Sequence, residues 1–275
     1  MKTTKAMNQL VLGLLLVLAL SACSSDDGAV NTPDAQDMSQ EEATLLAKSE
    51  SIEATSFDMV EQLYISVEES EAKMFPDCAT ITTVYEGGQR SVTLDFGDGC
   101  TLASGDVAAG IVLISFVPDP GVSRTITFSF QDFSLNDNGI SGGGELIRVR
   151  ENENGNPQSN YNSGISIDVA NSEIVIEREV DHQREWVAGV GTISWADNVF
   201  EVTGSGSTTL STGFSRSHET LNPLVRLGNC RFFVSGEVAL TRNDQEAVLD
   251  FGAGDCDNKA VLTYEGGSME ITLTK

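Results

Sequence analysis

Two hydrophobic periodicities divide this chain. Between residues 39 and 75, Phe57, Val60, Leu63, Tyr64 and Val67 recur at helical spacing, Ser39 with Glu42 makes a capping-box pattern, and Pro76 stops the run. The pattern predicts one or two helices, packed on a sheet or standing as a stalk above a membrane. The acidic residues between the apolar ones are expected on a solvated face. From residue 78 onward the period becomes two. Ile126, Phe128 and Phe130 alternate with Thr125, Thr127 and Ser129, as in a half-buried strand. The fuller apolar run Ile111–Phe116 predicts a central strand. Further strands are expected at 144–150, 164–169, 173–179, 184–189, 198–209, 212–219, 230–241, 246–251, 259–265 and 268–274. Asp137-Asn-Gly139 and Asn154-Gly-Asn156 punctuate them, and the cluster Gly204-Ser-Gly-Ser207 predicts a bulge or break. The fold expected is all-β, an antiparallel meander, sandwich or open barrel, with a short N-terminal helical segment. No βαβ alternation occurs, so a parallel nucleotide-binding sheet is not expected.

The N-terminus follows a different logic. Lys2 and Lys5 precede an eleven-residue apolar run, Leu10–Leu20. A membrane-spanning helix needs roughly 20 residues, so this run reads as an export signal. It ends in Leu20-Ser21-Ala22-Cys23, which resembles the lipobox of bacterial lipoproteins, with the thiol of Cys23 as the site of lipidation. An ordinary signal peptide with a chance cysteine is the plainer alternative. Two or more acyl chains, palmitate among them, would make the anchoring stable. Residues 24–40 are polar and aperiodic and read as a flexible acidic tether. Their Ser24-Ser-Asp-Asp27 resembles the surface-export signal of Bacteroidota lipoproteins, a generic solvated tether being the alternative. The organisation expected is a leader at 1–22, lipidated cysteine and tether at 23–40, a helical segment at 41–76, and a β domain at 77–275.

Charge changes the picture next. The 275 residues carry 16 Lys and Arg against 41 Asp and Glu, a net charge of −25. Loss of the leader removes Lys2 and Lys5 and leaves −27. A field of that sign repels polyanions, so no nucleic-acid partner is expected.

Apart from Cys23, four cysteines remain: Cys78, Cys100, Cys230 and Cys256. An even count in an exported chain favours two disulfides, with three possible connectivities. Two β-like runs around Gly87-Gly88 can pair so that Val84 faces Leu94 and Thr82 faces Phe96, which also sets Cys78 opposite Cys100. Around Asn243-Asp244, Val238 would face Leu249 and Leu240 would face Ala247; one bulge on the first strand then brings Cys230 to Cys256. The nested pairing 78–100 and 230–256 is therefore expected, each bridge adding roughly 3 kcal/mol by restricting the unfolded chain. With no CxxC or HxxxH, zinc is not expected at these cysteines. The two hairpins are also alike: Val92–Cys100 matches Ala247–Cys256 with one insertion, either as a repeated module or by convergent turn chemistry.

The stretches Phe75-Pro-Asp-Cys78, Leu94-Asp-Phe-Gly-Asp-Gly-Cys-Thr101, Phe116-Val-Pro-Asp-Pro-Gly121, Trp186-Val-Ala-Gly-Val-Gly191 and Cys256-Asp-Asn-Lys-Ala260 resemble a group of uncharacterised β-rich lipoproteins of Bacteroidota. The resemblance covers about three quarters of the chain. It implies location and fold, and carries no activity.

Candidate chemistry is sparse. Gly139-Ile-Ser-Gly-Gly143 satisfies GxSxG, but no helix-forming pattern follows it, and a Gly-rich turn is expected instead. His182 and His218 are the only histidines, flanked by polar residues, and are expected on the surface rather than as catalytic bases. Asp95, Asp98, Asp250, Asp255 and Asp257 could hold Ca²⁺ through oxygen ligands, yet none lies in a twelve-residue calcium loop, and turn formation explains them. Trp186 and Trp195 could stack on sugar rings, but packing in the core or at a rim is expected. No catalytic residue, metal or cofactor is expected. The function expected is that of an outer-membrane, lipid-anchored lipoprotein, facing the cell surface or, alternatively, the periplasm. It would act as a non-enzymatic binding or structural module toward a protein or glycan partner. The alternatives are carriage of an apolar or glycan ligand on a curved sheet and, further off, hydrolysis.

Overall fold

The computed structural model describes residues 39–68, 74–119, 121, 123–192, 194–243 and 245–274. The leader, Cys23 and residues 24–38 of the tether lie outside the described residues.

One helix and one sheet make up the fold. The helix α1 (Gln40–Glu68) begins with the expected capping box: the Ser39 hydroxyl accepts the Glu42 amide at 3.1 Å, and Glu42 accepts the Ser39 amide at 2.9 Å. The strands are β1 (Thr80–Glu86), β2 (Gln89–Asp95), β3 (Cys100–Thr101), β4 (Val107–Phe116), β5 (Ser123–Leu135), β6 (Asn138–Val149), β7 (Gln158–Asp168), β8 (Val175–Ala188), β9 (Val199–Leu210), β10 (Ser215–Leu227), β11 (Phe233–Arg242), β12 (Gln245–Ala253), β13 (Lys259–Tyr264) and β14 (Gly267–Thr272). They form one antiparallel meander in which each strand pairs with the next. The two-residue β3 is the exception; it joins β2 in pairing with β4. The sheet is not closed, and β1 and β14 are its edges. Of the architectures the period-two pattern allows, the structure is the meander. The expected strands at 173–179 and 184–189 are one strand, β8, because Val180 and His182 continue the inward alternation.

Inward positions of the sheet wrap α1. Nearly every residue of α1 from Ala43 to Ile65 is buried, including Glu50, Glu53, Asp58 and Glu61. The expectation of a solvated acidic face is thus corrected. A helix enclosed by a curved sheet has no solvated face, and its polar residues must find partners inside. Phe57 stacks on Tyr161 with ring centroids 3.6 Å apart and meets Phe128 edge-on at 6.2 Å.

Two register expectations are also corrected. In the first hairpin Thr82 pairs with Thr93 and Val84 with Ser91, three residues from the expected alignment. The turn is only Gly87-Gly88, both with positive φ (60° and 83°), and a two-residue turn fixes the register. The three extra residues are taken up after β2, where Gly97 (φ 59°) turns the chain toward Cys100. In the second hairpin Val238 faces Leu249 and Leu240 faces Ala247 as expected, but the bulge between Ser235 and Glu237 puts its extra residue on β12, beside Gly252 (φ 98°). Both disulfides form as expected, Cys78–Cys100 and Cys230–Cys256. The sequence similarity of the hairpins has a shared local structure. Asp95 accepts the Gly97 amide and Asp250 the Gly252 amide, each at 2.8 Å, while Phe96 and Phe251 point into the core.

The curl of the sheet is fastened by a polar clasp. Buried Asp106, just before β4, accepts from Arg231 Nε at 3.1 Å and lies 2.9 Å from Arg231 Nη2. Arg231 precedes β11, so the clasp joins segments 125 residues apart. Ser104 and Asn136 each donate to the same carboxylate at 2.7 Å.

Candidate functional site

Inward positions of β2, β5, β6, β8 and β10 carry arginines, and carboxylates of α1 take all of these except Arg216, whose Nη1 reaches the Leu240 carbonyl at 3.5 Å. Arg178 on β8 donates to Glu50 at 2.6 Å and to Thr208 at 3.0 Å. Asp58 accepts from Arg184 on β8 at 2.5 Å and, through its other oxygen, from Arg226 on β10 at 2.8 and 3.2 Å. Glu61 takes Arg148 on β6 at 3.3 Å, lies 3.3 Å from Arg184 Nε, and accepts the Ser159 hydroxyl. Glu68, in the last turn of α1, pairs with Arg90 on β2 and Arg124 on β5. Aromatic rings flank these cations: the Arg184 guanidinium lies 3.7 Å from the Phe200 centroid. Burial alone would raise the Asp58 pKa, but the charges of Arg184 and Arg226 outweigh it and hold the carboxyl below its ordinary value.

A second buried group lies between Glu50 and Asp58. Tyr161 donates to Glu53 at 2.9 Å; His182 Nδ1 is 3.1 Å from the Tyr161 hydroxyl, and His182 Nε2 is 3.4 Å from His218 Nε2. The geometry fits one directional chain, from His218 to His182 to Tyr161 to Glu53, with both imidazoles neutral. Burial, reinforced by Arg178, pushes the His182 pKa down to about 4. Burial, Arg178 and His182 push His218 to about 2. Burial raises Glu53 to about 7, against the pull of Arg178. The surface placement expected for both histidines is corrected: His182 is 4% and His218 6% exposed. Their polar sequence neighbours occupy the outer face, and period two puts the histidines inside. The cluster Gly204–Ser207, expected as a bulge or break, pairs continuously with β8, while the β9–β10 register shifts between Ser205 and Val202, a bulge that spans Gly204. A Cβ at Gly204 would lie 2.8 Å from His182 Cδ2, and one at Gly206 would lie 2.5 Å from His218 Cε1. Glycine there makes room for the imidazoles.

The remaining candidates resolve as follows. The GxSxG stretch is part of strand β6 and not a turn; Ser141 faces outward, and a Cβ at Gly142, Gly143 or Gly144 would meet a neighbouring strand's carbonyl oxygen within 2.2 Å. Asp257 accepts the Lys259 amide at 3.0 Å, a turn role like that of Asp95 and Asp250. Among the described residues no group of three or more His, Cys, Asp or Glu side chains is arranged to hold a metal ion. Trp186 is buried, and half-buried Trp195 packs on Phe200 with centroids 5.3 Å apart.

Trp195 also lines a cavity of about 700 Å³. The cavity lies between the Asp58–Met59 side of α1, Met74–Asp77, the loop 101–104 and the segment 226–231. Its apolar walls come from Trp195, Phe75 and Met59; Gln62, Asn229 and the Arg231–Asp106 clasp supply polar edges. The sequence singled out Trp195, but nothing in its spacing could place residues 58, 75, 106 and 231 together. Only the curl of the sheet does that. Comparison with family models, curated proteins and solved structures found no match.

Proposed function

We propose that this chain is an exported lipoprotein, acylated at Cys23 and held at the outer membrane with its folded part toward the cell surface, and that it works as a non-enzymatic binding or structural module. The observation that carries this reading is the filling of the curved sheet by the chain's own helix. Arg90, Arg124, Arg148, Arg178, Arg184 and Arg226 all spend their charge on α1. The buried chain from His218 to Glu53 faces the same helix rather than a cleft. A scaffold with its ionisable groups locked in this way suits display and contact.

The second reading, carriage of a small ligand, moves from the curved sheet to the cavity beside Trp195. Its volume falls in the range of small-ligand sites, and an aromatic wall with amide and carboxylate edges suits a sugar ring better than an apolar chain. The acidic surface disfavours polyanionic partners. Metabolic labelling with a fatty acid, followed by protease treatment of intact cells, tests the main reading. Wild type should take up label and lose its domain to the protease, and Cys23→Ala should lose the label. Labelling that survives Cys23→Ala overturns the anchor, and a domain that survives the protease moves it to the periplasmic face. Ester, peptide or glycoside hydrolysis abolished by changing His182 or His218 would overturn the non-enzyme reading.

A further inference from the structure

The edge strand β1 is built differently from the rest of the sheet. All seven of its residues are exposed, on both faces. Ile81, Val84 and Tyr85 are 40%, 54% and 66% exposed, the last among the most exposed large apolar side chains of the described residues. On the inward face Ile81, Thr83 and Tyr85 continue the rows of Leu94, Val92 and Arg90, yet those β2 neighbours are covered or half-covered and the β1 residues are not. Exposed edges are usually guarded by lysine, proline or a bulge, because unpaired amides and carbonyls recruit another strand. None of these guards occurs between Thr80 and Glu86, and the register with β2 is unbroken.

The hydrogen-bonding parity of this edge follows from its turn. A two-residue turn at Gly87-Gly88 makes Glu86 and Gln89 a bonded pair, so Glu86, Val84, Thr82 and Thr80 bond toward β2. The amides and carbonyls of Ile81, Thr83 and Tyr85 therefore face outward. An antiparallel two-fold pairing centred on Thr83 would use all three. Thr83 would face its own symmetry mate, Ile81 would face Tyr85 of the other copy, and Tyr85 would face Ile81. Both apolar pairs would lie on the inward face, and Val84 would meet Thr82 on the outward one. Charge supports the same occupant. In a chain of net charge −25, residues 78–85 hold no carboxylate. In the two-fold register the only charged residue of the strand, Glu86, falls opposite Thr80 and not opposite itself. The other edge, β14, carries Glu270 and buries its inward Ile271, so it offers a poorer match.

We propose that β1 is a self-association edge, and that its partner is β1 of a second copy of this chain, paired about Thr83 so that the two sheets become continuous. A single strand pair buries less than the roughly 1,200 Å² of a stable interface, so the pairing is weak and favoured where copies are crowded.

Thr83→Cys tests this in the full chain expressed in its own compartment. Directly opposed bonded residues have Cα atoms about 5.5 Å apart, within disulfide range. On a non-reducing gel Thr83→Cys should give a disulfide-linked dimer of twice the 29.3 kDa chain mass before any processing. Thr125→Cys, exposed on the outer face of β5, should stay monomeric, and adding Ile81→Lys to Thr83→Cys should reduce the dimer several-fold. Thr83 is exposed, and among the described residues β1 pairs only with β2, so neither variant disturbs the protomer; retained resistance of the core to trypsin confirms that. The proposal is overturned if Thr83→Cys dimerises no more than Thr125→Cys, or if Ile81→Lys leaves the dimer unchanged. An adduct of unequal mass, or cross-linking of Thr83→Cys to Met269→Cys on β14 instead of to itself, also overturns it.

Discussion

Asp58→Ala is the sharpest perturbation the inner face offers. Asp58 sits between Arg184 and Arg226, with donors at 2.5, 2.8 and 3.2 Å, and its removal takes the counter-ion from Arg226 and one of two from Arg184. Arg184 retains Glu61 at 3.3 Å, while Arg226 keeps only neutral partners, the Thr55 hydroxyl and the Arg231 carbonyl. Removing one partner of a buried ion pair costs about 3–5 kcal/mol, because the remaining charge is desolvated without compensation. In a domain of this size each kcal/mol moves Tm by about 2–4 °C, so a fall on the order of 10 °C is expected. Scanning calorimetry with urea unfolding would measure it, with m unchanged. Asp58→Leu combined with Arg184→Met and Arg226→Met should recover most of the loss, since an apolar replacement removes the stranded charges with their partner. A loss below about 0.5 kcal/mol for Asp58→Ala, the size of an ordinary surface change, would refute the reasoning.

Other expectations follow from the same inner face. The histidine pKa values are depressed in the folded state, so the unfolded chain binds more protons below pH 6.5, and the stability the neutral imidazoles contribute is lost as pH falls from there toward about 4. Glu53 works the other way, because its raised pKa of about 7 gives stability that is lost as pH rises from 4.5 to 7. Glu53 is common to both proteins and cancels, so wild type should lose stability relative to His182→Gln/His218→Gln by up to about 2.7 kcal/mol per pH unit between pH 6 and 5. Parallel pH profiles in urea denaturation would contradict this. Gly206→Ala should destabilise by about 1–3 kcal/mol in thermal melts, since its Cβ would sit 2.2 Å from the Glu179 carbonyl oxygen, whereas Gly164→Ala, with open space around it, should be close to neutral. Peptide mapping without reduction should join Cys78 to Cys100 and Cys230 to Cys256; a peptide joining 78 to 256 would contradict the two hairpins.

The all-β class and the helix were legible because each rests on a local period, and α1 begins at the capping box that Ser39 and Glu42 spell out. The second hairpin register was legible near its turn, since Val238 and Leu249 had to share the inner face. The first was misread because matching apolar residues and cysteines across a gap ignores the turn, and Gly87-Gly88 allows only one register. The interior was misread for a more general reason. Sequence reasoning assigns carboxylates and histidines to water, and Glu50 and Asp58 carry no local mark of burial. Their placement depends on strands β6, β8 and β10 curling over α1, a long-range geometry. A partial signal was present on β8. Ile176, Arg178, Val180, His182, Arg184 and Trp186 fall on one face, opposite Glu177, Glu179, Asp181, Gln183 and Glu185. The aliphatic and aromatic members mark that face as the inner one, which puts the arginines and His182 inside.

Hydrogen exchange of α1 in the native protein tests the central claim most directly. If the helix is the filling of the sheet, held by carboxylates against arginines, amides from Leu45 to Ile65 should exchange only with global unfolding, at the rate of the core strands β5 to β8. Exchange of those amides at the rate of an unprotected helix, while β5 to β8 stay protected, would contradict the account and show the inner face to be open.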